Sequence, residues 1–571
     1  MTLDLALDGN APDGLLTLGT KTVTVPAGGD ASVQVVVDEK ASTAYGFYSG
    51  RLVATAGDVK LQTPFSVYLE APSATLKVTT IGRDGGAPGT GTVMIQLSNP
   101  DPANYEYHEF YTATGSLRVP LNTTWHIAAY VLNDDGSVAL LTDNKEVVTA
   151  DREVVLDARK ARPLDITVPD NKATAYDASA VVNRAADGYP TYDGISGDPA
   201  TLFTADEGPT GLPGVITQVQ AVFQGPAKKG DAPDVYQLGW RTEGSFITGL
   251  VKHVKRPELS TVDVDYARNA TGVAAWRTNA MPEPSLPGAY PLSSELPPVA
   301  TPAHRTEYYS GDVPWLSGIV EKTIADDQWI LDLAQKQDPG YRSGRRYQET
   351  WDGAALNTTL TPVYPGSTAV VRQGDSLYAS FSGYADGDGH VGWPYTMTDN
   401  DLSLYQGDTL LGEYTGVFGT FGSWDVAAAP TTYRMRYAYD LPGPSRLSTR
   451  TETEWTFTTS ADQQGDLPLT SIGFRPDLAL DNSSRAGSVQ TIPLTFVRQT
   501  TAGQVKSATV SVSYDDGATW VAVPTAEQHG QYTATVHQPK GGTGFVSLRA
   551  TAVDTKGNTV TTTVYRAYEL K

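Results

Sequence analysis

A chain of 571 residues without a single cysteine forms no disulfide, no cysteine zinc site and no iron–sulfur cluster, and offers no thiolate nucleophile. Hydrophobic packing and strand pairing must hold it. Its 64 Asp and Glu against 42 Lys and Arg leave a formal charge of −22, which repels phosphate backbones and argues against nucleic acid as a partner. Apolar residues make up 40% and charged residues 19%, enough for several ordinary cores and unlike a disordered chain. No apolar run approaches the roughly 18 residues of a membrane span, so no membrane partner is expected. At about 100–200 residues per domain, three to five domains are expected.

The opening MTLDLALDGNAPDG lacks the basic and apolar regions of a signal peptide and already reads as a strand. Met1 is therefore read as a start codon added to an excised piece. Period-two alternation, which lines one face of a sheet, dominates the chain. KTVTVPAGGDASVQVVVD reads as strand, turn and strand, with Val23 and Val25 before Gly28 and Gly29, and Val33, Val35 and Val37 after. With AYGFYSGRLVAT as a further strand, residues 1–72 are expected to form a fibronectin type III-like β-sandwich. A second β-sandwich is expected over 73–165, with two strands around Asn133-Asp134-Asp135-Gly136. Asp134 and Asp135 suit a turn whose carboxylates bond their own backbone amides better than a metal site. HEFYT at His108 starts like a zinc-protease motif but has Thr112 where the second histidine must stand.

Residues 166–462 are rich in Pro, Gly, Tyr and Trp and divide into two β-rich middle modules, 166–300 and 301–462, the second with jelly-roll character. The cluster MPEPSLPGAYPLSSELPPVATP predicts a long loop or boundary near residue 300, because consecutive prolines cannot donate to a ladder. IVEKTIADDQWILDLAQ has helical spacing at Ile319, Ile324, Leu331 and Leu333, but Gly318 and Pro339-Gly340 bracket it, and strands are expected. YADGDGHVGW places Asp386, Asp388 and His390 like the start of a calcium loop. The twelfth position, where a bidentate acid belongs, is Met397, so a tight turn is the better reading and calcium the secondary one. Trp240, Trp276, Trp315, Trp329, Trp351, Trp393 and Trp424 suit either a core or a sugar-binding platform.

The last unit, 463–571, is read as an immunoglobulin-like module. Within it SYDDGATW, Ser513 to Trp520, fits Ser-x-Asp-x-Gly-x-Thr-Trp, the Asp-box of sialidases and other β-propeller proteins. A propeller needs one similar unit per blade, and this chain has a single box and no fixed-period repeat. The box is therefore read as a stabilising hairpin. Val510, Val512 and Tyr514 alternate into a core, Asp515 accepts amides across the turn, Gly517 takes a positive φ and Trp520 packs beneath. A second hairpin turns at Asp554 to Asn558. No G-x-S-x-G elbow and no phosphate-cradling Gly-Lys-Ser/Thr loop is present. A glycosidase carboxylate pair is assembled in space and is not readable here.

In order along the chain, VTVPAGGDASVQVVVD, VVLDARKARPLDITVP, VYQLGW, HRTEYYSGDVPW, YRSGRRYQETWDGA, YADGDGHVGW, TEWTFTTS and SVSYDDGATW resemble the post-catalytic region of large secreted subtilisin-like serine peptidases of filamentous soil bacteria. The resemblance implies a fibronectin-like module, a prealbumin-like module and a terminal β-domain. The family's Asp-Thr-Gly, His-Gly-Thr-His and Gly-Thr-Ser-Met-Ala motifs are absent, and His529-Gly530 continues Gln-Tyr. No residue inherits a catalytic, cofactor-binding or metal-binding role. The expectation is an all-β array of tandem β-sandwiches, immunoglobulin/fibronectin type III-like and prealbumin-like. It is read as the non-catalytic accessory region of an extracellular endopeptidase, not itself an enzyme, with an upstream catalytic domain and protein substrates as partners. A glycan- or cell-wall-binding array is the alternative, and a glycosidase the third reading.

Overall fold

The computed structural model describes all residues except 42–44, 187, 284, 286–291, 312, 335–339, 363–366, 393–398, 417–419 and 442. Trp393, Met397, Asp312, Pro339 and part of the proline cluster thus lie outside the described residues. Among those described, strands and their connections make up the chain, with 3-10 turns at Ala158–Lys160, Pro199–Thr201 and Arg256–Glu258 and no α-helix. Alternate residues are buried along many strands, Ser73–Ile81 and Val93–Asn99 among them, as an array of β-sandwiches requires. The chain divides into two compact units: 1–161 with 186–191 and 204–212, and 162–185 with 192–203 and 213–571.

In the first unit the strands run in the order Thr22–Thr24, Thr2–Gly9, Gly46–Ala56 and Val59–Leu69. Leu16–Leu18 and Val35–Val37 make a separate two-stranded ribbon. The turn at Gly28 and Gly29 forms, with Gly28 at φ 68° and the Gly29 amide donating to the Pro26 carbonyl at 3.2 Å. The strands on either side of it join different sheets instead of each other, contrary to the hairpin expected from KTVTVPAGGDASVQVVVD. A two-stranded ribbon covers little, so Val35, Val36 and Val37 are all exposed.

Further along the unit, Ser73–Ile81 sits between Thr114–Pro120 and Arg152–Asp157. Thr123–Leu132 pairs with Val138–Val148 and Val93–Asn99, the latter also pairing Glu106–Phe110. The expected hairpin around residues 133–136 is present. Asp135 Oδ1 accepts from the Ser137 amide at 3.0 Å, and Gly136 has φ 79°. His108 bonds Glu106 at 3.1 Å.

In the second unit one sheet runs Thr174–Arg184, Val215–Gln224, Val235–Glu243, Ala303–Ser310, Leu259–Tyr266, Arg346–Trp351. Another contains Leu292–Glu295, Val273–Met281, Leu316–Thr323 and Trp329–Ala334 in that order. The segment with helical spacing is therefore an antiparallel hairpin, as its bracketing glycine suggests. The boundary expected near residue 300 is crossed by strand pairs, since Leu259–Tyr266 lies between Ala303–Ser310 and Arg346–Trp351. Even the proline cluster contributes strands: Leu292–Glu295 and Val299–Ala300 both pair with Val273–Met281, leaving Pro297 and Pro298 between them.

The boundary near residue 463 is crossed too. Arg450–Thr459 pairs with Thr559–Leu570, which in turn pairs with Gly544–Asp554. One continuous core runs from Val262 to Leu570, with Trp315, Trp351, Trp455 and Phe381 among its largest members. The hairpin at Asp554 to Asn558 is closed by Asp554 Oδ1, which accepts from the Lys556 and Asn558 amides at 2.8 Å each.

Candidate functional site

The Asp-box is a hairpin built largely as its residues require. Asp515 Oδ1 accepts from the Thr519 amide at 2.8 Å and from the Ser513 hydroxyl at 2.7 Å, and Oδ2 accepts from the Thr519 hydroxyl at 2.6 Å. Gly517 has φ 90°, and the Trp520 ring lies 4.0 Å beneath the Arg549 guanidinium. Val510 and Val512 are buried, but Tyr514 is 40% exposed. The strand ends at Ser513, so the alternation that would point Tyr514 inward stops there. The Thr519 hydroxyl, then the Thr519 amide and Ser513, hold the Asp515 carboxyl down at about 2. A depressed value means the turn is intact above the ordinary carboxylate range and is released only as pH falls through about 2. The Thr519 amide resonance is expected to titrate near that value, and a midpoint in the ordinary aspartate range would contradict the geometry.

Asp386, Asp388 and His390 form the tight turn. Asp386 Oδ1 accepts from the Asp388 amide at 3.0 Å and the His390 amide at 2.9 Å, and Oδ2 meets His390 Nδ1 at 2.8 Å. The Asp386 carboxyl is thus engaged by its own loop, and Asp388 pairs with Arg475. No group of three or more metal-ligating side chains converges among the described residues.

Of the middle-region tryptophans, Trp315, Trp351 and Trp424 are buried, Trp240 and Trp276 are half-buried, and Trp329 is 48% exposed. The Lys322 ammonium lies between the rings of Trp276 and Trp329, at 5.0 and 5.6 Å. These two indoles therefore share a cation and do not present a bare platform.

The most perturbed groups were not singled out by the sequence. Glu321 and Asp352 are each 1% exposed. Glu321 comes from the middle of Leu316–Thr323, and Asp352 directly follows Arg346–Trp351 at φ 59°. Neither Glu321 oxygen nor Asp352 Oδ2 has a hydrogen-bond partner among the described residues. Burial pushes Glu321 up to about 8. Burial, and after it the charge of Glu321, pushes Asp352 well above the carboxylate range.

The main chain around Asp352 is tied on every side. Its amide donates to Asp386 Oδ2 at 3.1 Å, and its carbonyl accepts from Asn269 Nδ2 at 3.1 Å and Asn482 Nδ2 at 3.0 Å. Asn482 Oδ1 in turn accepts from the Ala354 amide at 3.0 Å. Trp351 stacks on His390, with centroids 3.9 Å apart and planes at 10°. Burial disfavours the charged His390 ring, but the Asp386 carboxylate outweighs it and the ring's pKa is raised.

Beside this cluster opens a cleft of about 530 Å³, lined by Gly353, Ala354, Gly387, Asp388, Arg475 and Asn482 among others. Glu321 and Asp352 do not line it.

A second buried polar system lies nearby in the same unit. Glu307 accepts from Arg305 Nε at 2.8 Å and from the Tyr309 hydroxyl at 2.6 Å, pairs with Arg277 at 3.2 Å, and also bonds Tyr266. Arg277 reaches Glu349 at 2.8 Å. Arg305, Glu307 and Tyr309 alternate along one strand, but Tyr266, Arg277 and Glu349 reach them from strands that are neighbours only in space.

No family model and no curated protein matches the chain. Among solved structures, it is similar to the Bacillus anthracis TIE protein at 13% identity, over 61% of this chain and 68% of that one, with a TM-score of 0.13. It is similar to Salmonella alpha-2-macroglobulin reacted with methylamine at 10% identity, over 100% of this chain and 37% of that one, with a TM-score of 0.17. For the native conformation of E. coli alpha-2-macroglobulin the identity is 9%, the coverage 100% and 44%, and the TM-score 0.16. The chain thus spans less than half of these two macroglobulin chains, and likenesses at such TM-scores carry no argument about its function.

Proposed function

We propose that this chain is a non-catalytic accessory region of an extracellular subtilisin-like serine endopeptidase, positioning protein substrate or stabilising the protease domain. The ordered resemblance from VTVPAGGDASVQVVVD to SVSYDDGATW supports it. The non-catalytic part of the reading rests on the missing Asp-Thr-Gly, His-Gly-Thr-His and Gly-Thr-Ser-Met-Ala motifs. The buried carboxyls Glu321 and Asp352 do not line the described cleft, which suits a structural role for them. A scaffold closed by such interior polar contacts suits an arm that raises the effective concentration of a bound protein at its partner.

The test is to mix the chain with the catalytic domain of the same reading frame. Binding is expected to raise the melting temperature of that domain, by about 2.7 kcal/mol of added stability at a hundredfold excess over Kd. Turnover of casein is expected to rise while that of a short peptide ester stays unchanged. Absence of binding, or casein hydrolysis and serine-directed phosphonate labelling of the chain alone, would overturn the reading. Retention on chitin or peptidoglycan would favour the glycan-binding alternative.

A further inference from the structure

We propose that the exposed stripe Tyr105, Tyr107, Glu109 and Tyr111 binds an extended polypeptide segment, setting a lysine or arginine of that segment against Glu109 and an apolar or aromatic side chain two residues to either side against the rings. Alternation builds the stripe. In NYEYHEFYT the residues Glu106, His108 and Phe110 are half-buried, while Tyr105, Tyr107, Glu109 and Tyr111 are exposed. Tyr105, Tyr107 and Tyr111 are 49%, 46% and 55% exposed, an uncommon amount of open aromatic surface for one short segment.

The stripe is held in place before anything binds. The Tyr107 hydroxyl donates to Glu109 Oε1 at 2.6 Å and the Tyr111 hydroxyl to Oε2 at 2.5 Å, so two rings are tied to one carboxylate. Gln96, opposite Glu109 on the neighbouring strand Val93–Asn99, donates to Oε1 at 3.2 Å. Tyr105 meets Tyr189 edge to face with centroids 5.8 Å apart, and the Tyr189 amide donates to the Pro100 carbonyl at 2.8 Å. Rings fixed in this way lose little freedom on binding. A carboxylate offers about four acceptor positions, so these three donors leave one on Oε2 together with the negative charge. The Tyr107 hydroxyl, and after it that of Tyr111, lowers the Glu109 pKa and keeps that charge in place.

Charge selects the occupant. No Lys or Arg lies between Arg83 and Arg118, a stretch that holds Asp84, Asp101, Glu106 and Glu109. The neighbouring strands Val93–Asn99 and Thr123–Leu132, and residues 188–191 beside Tyr105, carry none either. Glu106 pairs with His108 among the half-buried residues, and no cation pairs with Glu109 among the described residues. An ionised carboxylate between open ring faces, with no cation of its own, is matched by a cationic side chain and repels acidic polymers. Glu106–Phe110 is also the last strand of its sheet, so every second residue turns its amide and carbonyl outward. An extended segment laid along that edge sets alternate side chains opposite Tyr107, Glu109 and Tyr111, as cross-strand partners. The inference rests on the accessory reading only for the source of the segment, an unfolded stretch of protein substrate.

The experiment titrates the full chain at low salt with the capped peptide TLTKTLT, carrying an uncharged fluorophore and followed by anisotropy, and with TLTETLT as its counterpart. Saturable binding of the lysine peptide is expected, about tenfold tighter than that of the glutamate peptide, and weaker at high salt. Glu109→Gln and Tyr111→Ala are each expected to weaken it about fivefold. Both side chains are exposed, so both variants are expected to melt with wild type. Equal affinity for the two peptides, or for wild type and both variants, overturns the proposal. Binding of a chitin oligosaccharide that Tyr111→Ala abolishes, with no binding of the lysine peptide, also overturns it, by assigning the stripe to sugar. The titration contains no catalytic domain, so its failure leaves the accessory reading standing, and failure of the catalytic domain to bind leaves the stripe standing.

Discussion

Replacing Glu307 with glutamine is expected to cost the second unit about 3–5 kcal/mol, read as a shift in the urea midpoint followed by tryptophan fluorescence. The side chain is fully buried and faces two arginines that are also buried. Burial alone would raise its pKa, but Arg277 and Arg305, with hydroxyls from Tyr266 and Tyr309, bring the carboxyl down to about 2. A depressed carboxyl stabilises above its unfolded value, and that support disappears as pH falls through about 2. Glutamine keeps the shape and removes the charge, which leaves both guanidinium groups in the interior without full compensation.

The design contains its own control. Arg305→Met together with Glu307→Leu removes donor and acceptor at once, and Arg277 keeps Glu349. That double variant is expected to lose less than Glu307→Gln alone, because no unmatched Arg305 charge is left behind. A Glu307→Gln midpoint within about 1 kcal/mol of wild type would show that the network does not hold the sheets together.

Trp351→Ala is expected to cost a similar amount, about 3–5 kcal/mol, and to be visible by calorimetry as a lower melting temperature. Trp351 is fully buried at the end of Arg346–Trp351, opposite Tyr266. One face stacks on His390, the Arg277 guanidinium lies 5.0 Å from the ring centre, and the indole N–H donates to Glu349 at 3.2 Å. Removing the indole therefore leaves a cavity between the two polar systems and frees one acceptor as well. Trp351→Phe keeps an aromatic ring against His390 and loses the N–H, so a smaller loss is expected. Equal stability of Trp351→Ala and wild type would mean that the site collapses without penalty.

The fold class was legible because alternation is a local property. Val510 and Val512, or Leu76 and Val78, announce a sheet face within a few residues. The Asp-box turn was legible for the same reason: all its partners lie between Ser513 and Trp520. Tyr514 was misread because alternation says nothing about where a strand ends.

Partition of the sheets was not legible. Which strand lies beside Leu259–Tyr266 depends on residues on both sides of the proline cluster, and prolines mark turns without marking the limits of a core. The candidate site failed to show for a related reason. Glu321 sits in a segment whose helical spacing drew attention to Ile319 and Leu331, and Asp352 in a turn unlike any motif. Only the pairing of Leu316–Thr323 with its neighbours turns Glu321 inward. Tryptophans were ambiguous throughout, since Trp351 and Trp329 look alike in sequence and differ completely in exposure.

The last strand, Thr559–Leu570, lies in the interior of a nine-stranded sheet, between Arg450–Thr459 and Gly544–Asp554. Its 12 residues follow Arg450–Thr459, the strand they pair with, only after a long intervening stretch of chain. Until they arrive, Arg450–Thr459 has an unfilled edge, and the long-range pairing that completes the sheet is of the slow, high-contact-order kind. A nascent chain must therefore keep this sheet incompletely assembled until Thr559–Leu570 has been made. Removing Thr559–Leu570 would take out a keystone and not an appendage.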